Sequence, residues 1–98
     1  MIELKAVNVE YCSDGDEAAF FEWIKKIPSI KDFRGSGNSL SIMVDEESID
    51  EYDLRELIAL FHRYDVPMKQ LAIFDREEFS IWLHIETAFW HGSMFETA

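Results

Sequence analysis

Leu54, Leu57, Ile58, Phe61 and Tyr64 recur at spacings of three and four, a pattern that one helix face, and no strand, presents to a core. The flanking residues frame a helix over Asp50–Tyr64. Asp50 is a favoured N-cap type, Ile49 before it and Leu54 after it are placed as a hydrophobic staple, and Asp65-Val66-Pro67 ends the run, because backbone preceding proline is driven out of the helical region. A helix with so wide an apolar stripe is stable only against a second apolar surface. The rest of the chain has to supply that surface.

Residues 2–11 alternate, but the phase changes: Ile2, Leu4 and Ala6 come first, then Val7, Val9 and Tyr11. This predicts a strand with a bulge near Ala6–Val7. Ser13-Asp14-Gly15-Asp16 breaks the strand, and Ser13 and Asp16 are both N-cap types for a helix over about residues 16–27. Its apolar face is Phe20, Trp23, Ile24 and Ile27, and Pro28 stops it. Residues 30–34 and 39–45 read as paired strands around Gly35-Ser36-Gly37-Asn38. In the second of these, Leu40, Ile42 and Val44 face in while Ser41 and Met43 face out. Met68–Phe74 reads as a further strand. The order is β-α-β-β-α-β, an α+β fold in which two helices cover one face of a single-layer, mostly antiparallel sheet in a ferredoxin-like arrangement.

The tail over 76–95 supports two patterns. Phe79, Trp82, Leu83, Phe89, Trp90 and Met94 form a helical stripe, whereas Phe79, Ile81 and Leu83 alternate as a strand would. The expectation is a strand or turn through about Leu83, then a short helix from about Glu86 to Phe95. Core packing is the ordinary role of so many large apolar rings; a partner-facing aromatic patch is the functional alternative.

An apolar fraction of 48% with 14% aromatics is enough for a core, so residues 1–98 are expected to form one folded domain rather than a disordered acidic chain. The charge sets the partner class. There are 20 Asp+Glu against 9 Lys+Arg, a net charge of −11, which opposes binding to nucleic acid or to an anionic membrane. The N-terminus has no basic segment followed by an apolar run, and no stretch reaches the ~18 apolar residues of a membrane helix. Cys12 is the single cysteine and has no internal disulfide partner. These features suit a cytoplasmic protein.

Seven of the acids lie within residues 45–56: Asp45, Glu46, Glu47, Asp50, Glu51, Asp53 and Glu56. Asp50, Glu51 and Asp53 fall at the start of the predicted helix, where they complement the positive end of its dipole. That account does not extend to Asp45, Glu46 and Glu47, to Asp14, Asp16 and Glu17, or to Asp75, Glu77 and Glu78. A solvated face is one reading of such a surplus, and a basic protein partner is the other. On the second reading Asp45, Glu46, Glu47 and Asp50 steer the partner, with Trp82 and Trp90 as anchors.

Catalytic and metal signatures are missing from the sequence. Residues 45–50 lack the alternating ligands and central glycine of a calcium loop. His84 and Glu86 spell His-x-Glu without the Pro-Cys-x-x-Cys that zinc deaminases need. On one helix His84 and His91 would stand about 10 Å apart, too far to share a metal. Acids near Cys12 disfavour its thiolate, and no lysine follows Gly35-Ser36-Gly37 as a phosphate loop requires. No catalytic residue, metal ligand or cofactor is expected, and an enzyme is the least supported class.

The run Asp53-Leu54-Arg55-Glu56-Leu57-Ile58-Ala59-Leu60-Phe61-His62-Arg63-Tyr64, followed by Pro67-Met68-Lys69-Gln70-Leu71 and the closing Ala88-Phe89-Trp90-His91, resembles a small bacterial α+β protein. In size, acidity and lack of motifs the chain is similar to immunity proteins of polymorphic-toxin and contact-dependent growth inhibition systems. That resemblance implies a cytosolic protein that neutralises one cognate toxin domain, often a basic nuclease, by covering or distorting its active site. It implies no particular site residue. The alternative is a ferredoxin-like ligand-sensing or oligomerisation module, in which Gly35–Asn38 frame a small-ligand loop.

Overall fold

The computed structural model describes residues 1–96. Three antiparallel strands form an open sheet: β1 (Ile2–Val7), β2 (Ile30–Ser36) and β3 (Ser39–Val44), in the order β1-β3-β2. Two long helices, α1 (Asp14–Lys25) and α2 (Glu51–Arg63), bury their stripes against one face of it. On β3 the alternation holds: Leu40, Ile42 and Val44 are buried, while Ser39, Ser41 and Met43 are half-exposed. Leu4 and Ala6 of β1 join them, and Phe20, Ile24, Leu54, Leu57, Ile58 and Phe61 close over this surface in a single core. Fully burying each such Leu, Ile or Phe side chain contributes roughly 1.5–3 kcal/mol.

The caps place the helices. Ser13 Oγ accepts the N–H of Asp16, so α1 starts two residues earlier than expected. Asp50 Oδ1 accepts the N–H of Asp53 at 2.8 Å, and Ile49 is buried beside Leu54 as the staple pattern implies. Asp16 is not the cap. Its carboxylate accepts the N–H of Cys12 at 2.8 Å and the hydroxyl of Tyr64 at 2.9 Å, tying the start of α1 to the end of α2. Those two bonds, the backbone one first, hold the Asp16 carboxyl below its ordinary range.

The expected bulge near Ala6–Val7 does not form. Ile2 through Val7 pair without a break with Val44 through Ser39. The phase change happens one residue later, at Asn8, whose φ of +55° turns the chain and brings Val9 and Tyr11 back onto the core side. Asparagine tolerates this left-handed backbone better than most residues. The sheet's irregularity lies in β2, between Ile30 and Asp32. In the β2–β3 hairpin, Gly37 alone takes positive φ, +60°, as a two-residue turn with glycine first requires.

The expected strand over Met68–Phe74 is a 3-10 helix, Lys69–Phe74, so the β-α-β-β-α-β order is not completed. Met68, Leu71 and Phe74 are buried while Ile73 is exposed. That is a period of three, which stacks side chains on one side of a 3-10 turn and would split them across a strand. The segment still guards the free edge of β1, through one side chain. Gln70 Oε1 accepts the Lys5 N–H at 2.8 Å, and its Nε2 donates to the Lys5 carbonyl, also at 2.8 Å. One carboxamide thus makes the pair of bonds that a neighbouring strand residue would make.

The tail is helical where a strand or turn was expected. A 3-10 turn (Glu77–Phe79) runs into α3 (Ser80–Leu83), and Phe79, Trp82 and Leu83 are buried while Ile81 is 91% exposed. The strand pattern required Ile81 on the buried side. The helix expected from Glu86 to Phe95 is shorter, α4 (His91–Phe95).

Two outcomes are expected. Gln70→Ala should cost about 0.5–1.5 kcal/mol in urea unfolding, since it removes the exposed pair of hydrogen bonds to Lys5. Gln70→Glu should cost at least as much, because a carboxylate cannot donate to the Lys5 carbonyl; wild-type stability in either would refute the edge role. The second concerns pH. Because the folded-state pKa of Asp16 is depressed, its contribution is present above the ordinary carboxylate range, near 3.9, and is lost as pH falls through the folded value. The stability gap between wild type and Asp16→Asn should therefore narrow between pH 6 and the acid limit of folding, and a constant gap would refute it.

Candidate functional site

The chain leaves the central strand at Val44 and turns at once. The N–H of Asp45 donates to the Ser29 carbonyl at 2.8 Å, the Asp45 side chain accepts the N–H of Glu47 at 3.2 Å, and its carbonyl accepts the N–H of Ser48 at 3.1 Å. Ile49 then enters the core and Asp50 caps α2. Residues 45–50 are therefore a defined turn rather than a loose acidic loop.

Arg76 holds that turn from outside. Its Nη1 donates to the Glu46 carbonyl at 2.8 Å and its Nη2 to the Ile49 carbonyl at 3.0 Å, so one guanidinium spans the loop with its planar fork. Its charge lies 5.0 Å from the ring centre of Phe79, and Glu78 Oε1 stands 2.9 Å from its Nε as an ion pair without an aligned hydrogen bond. Arg76 thereby sets the acidic segment Asp75–Glu78 beside the turn that carries Asp45, Glu46 and Glu47. Two acidic segments 30 residues apart in the chain become one edge.

The edge includes some paired acids. Glu46 accepts from the Met1 ammonium at 3.1 Å, which holds its carboxyl below the ordinary range. Asp75 Oδ1 lies 2.8 Å from His84 Nε2. Arg55 binds Glu51 at 2.8 Å and lies over the Trp82 ring at 4.1 Å from its centre, marking the border of the acidic surface. Glu47, Asp50, Glu77 and Glu78 remain exposed.

Of the residues singled out from sequence, Asp45, Glu46, Glu47 and Asp50 share this turn, with Asp45 and Glu46 half-buried. Trp82 and Trp90 are each only 8% exposed. Their rings meet edge to face at 5.9 Å, and Trp90 Nε1 donates to the Leu83 carbonyl at 2.8 Å. Both rings are packed into the core rather than presented at the surface as anchors. Asp53, assigned to the helix dipole, is buried and also accepts the N–H of Ser29 at 3.0 Å.

Sequence reasoning missed Arg76 and Ile81. The signal for Arg76 was a lone guanidinium inside Asp75-Arg76-Glu77-Glu78, where it has to find other acceptors besides its neighbours. Ile81 is off-phase in the Phe79, Trp82, Leu83 stripe, so helical geometry turns it outward, one turn beyond Glu77 and Glu78.

The histidines pack on aromatic rings: His62 on Phe89 at 4.6 Å, and His84 and His91 on Phe95 at 4.4 and 5.5 Å. Among the described residues no three His, Cys, Asp or Glu side chains are grouped to hold a metal ion, and no helix is long and apolar enough to cross a membrane. Gly35, Gly37 and Asn38 border a cavity at the opposite end of the sheet. Comparison with protein-family models, curated proteins and solved structures finds no match to this chain.

Replacing Arg76 by Lys should keep the charge and lose the fork. Amide exchange of Ser48 should rise at least about tenfold while the core strands stay protected, the signature of local opening. Unchanged exchange there would show that the turn does not depend on Arg76.

Proposed function

We propose that this protein is a non-catalytic binding module that takes a basic protein partner on its acidic edge, and that the partner is a toxin domain, as in the immunity-type proteins that the chain resembles. The observation that carries the reading is the assembly made by Arg76. It sets the segment Asp75–Glu78, followed one turn later by the exposed Ile81, beside the turn that carries Asp45, Glu46 and Glu47. Like charges gathered this way repel one another, and a basic surface relieves that repulsion on docking.

Carboxylates at the edge attract a basic surface over roughly a Debye length, about 8–10 Å at ordinary salt, and raise the association rate toward ~10⁸ M⁻¹s⁻¹. Contact then buries Ile81. Trp82 and Trp90 support the interface from below, and the turn held by Arg76 presents its acids without reordering on binding, which lowers the entropic cost. A partner whose active-site cleft is basic is occluded by such a face without any chemistry on either side. The cytoplasm is the compartment in which this inhibition would act, and there the lone Cys12 stays reduced.

The test has two stages. The toxin-type domain encoded immediately upstream should arrest bacterial growth when expressed alone, and this protein should restore growth; a harmless domain, or toxicity without rescue, overturns the toxin reading. With the cognate partner in hand, the combined variant Asp45→Asn, Glu46→Gln, Glu47→Gln, Asp50→Asn should slow association about tenfold or more at low salt while changing dissociation little. Asparagine still caps α2, so the fold is kept. Ile81→Ala should instead speed dissociation.

A further inference from the structure

The end of the sheet opposite the acidic edge carries a second feature. A cavity of about 640 Å³ opens between the hairpin tip, the segment Asn8–Tyr11 and α1. Its size lies within the ~300–1,000 Å³ range of small-molecule sites. The cause is local. Gly35 pairs with Leu40 on the core side of the edge strand, and a Cβ built there would meet nothing within 4 Å. Ala6, also small, sits across Leu40 on the other strand. Ala6 and Leu40 are themselves buried, so the opening lies over Gly35 at the edge strand, with Phe21 of α1 on its far side.

The walls have a definite chemistry. Tyr11 and Phe21 supply aromatic rings 6.5 Å apart, Glu10 supplies a carboxylate, and Asn8 and Asn38 supply carboxamides. No Lys, Arg or His is among the lining residues. The rim is pinned: Asn38 Nδ2 donates to Asn8 Oδ1 at 2.7 Å, and the N–H of Asn8 donates to the Asn38 carbonyl at 2.8 Å. Glu17 and Asp16 stand close by, and their field, after burial, pushes the Tyr11 hydroxyl up from its ordinary value. Aromatic faces beside carboxylates attract organic cations through the ring quadrupole and through charge together.

We propose that this cavity is a binding site for an organic cation, a guanidinium or alkylammonium group seated against the half-buried rings of Tyr11 and Phe21 with Glu10 at its rim. The site is separate from the acidic edge, so the two assignments stand or fall independently. Either a free amine or an arginine or lysine side chain of a polypeptide carries this chemistry.

The experiment is a heteronuclear NMR titration of the full chain with three probes: N-acetyl-arginine amide, tetramethylammonium chloride and sodium chloride. Either organic cation should give saturable shifts confined to Asn8–Tyr11, Phe21 and Gly35–Leu40, with sodium chloride giving none there. Preference for the arginine amide assigns the site to a side chain of a polypeptide, and preference for tetramethylammonium to a free amine. Gly35→Leu, which fills open space at a strand position, should weaken binding at least about tenfold while its spectrum stays dispersed. Glu10→Gln should weaken it a few-fold, and neutralising Glu46 and Glu47 should leave it unchanged. Shifts spread over every acidic segment, shifts matched by sodium chloride, or full binding by folded Gly35→Leu would each overturn the assignment.

Discussion

The seating of α2 on the inner face of the sheet is the constraint on which everything else rests. Leu54, Leu57, Ile58 and Phe61 are withdrawn from water against Leu4, Ile42 and Val44, and the two ends of the helix then define the two ends of the molecule. At its start, Ile49 is drawn into the core and Asp50 caps the helix, so the acidic turn before it has a fixed shape. At its finish, Tyr64 meets Phe20 edge to face at 4.7 Å and binds Asp16, which sets the start of α1 and with it one wall of the cavity. The acidic edge and the cavity are thus consequences of one packed interface.

An open three-stranded sheet has two unpaired edges, and each is guarded by side chains. On β1 the guard is the carboxamide of Gln70. On β2 it is Asp32, whose Oδ1 accepts the N–H of Phe33 at 2.9 Å and whose Oδ2 binds Arg34 at 3.1 Å, next to the irregularity at Ile30–Asp32. Such plugs and bulges remove the donors and acceptors that another strand would recruit.

The charge surplus also has an internal logic. With few cations in the chain, each one that binds inward changes the balance of the surface. Arg76 binds two backbone carbonyls and pairs with Glu78, and Arg55 lies over Trp82 and pairs with Glu51, so each offsets one neighbouring acid and leaves the others around it. The hydrogen bonds of Arg76 fix the geometry of the turn, while the carboxylates around it set the charge of the surface.

Local pattern alone was enough for the elements that carry the core. The stripe from Leu54 to Tyr64, the cap at Asp50, the staple at Ile49, the alternation over Leu40–Val44 and the stop at Pro28 all depend on neighbours within a few residues, and helical or pleated periodicity records such neighbours in the sequence. The phase slip after Ala6 was also legible, though not that Asn8 rather than a bulge would absorb it. Tertiary structure decided the rest. Met68–Phe74 has side chains that serve either a strand or a 3-10 turn, and the choice went to the form that buries Met68, Leu71 and Phe74 together and brings Gln70 to Lys5, 65 residues away in sequence. The joining of residues 45–50 with 75–78 depends on where Arg76 lands, and the cavity depends on the open space over Gly35 beside α1. Periodicity reports which face of an element is apolar. Which element that face meets is settled only when the whole chain has packed.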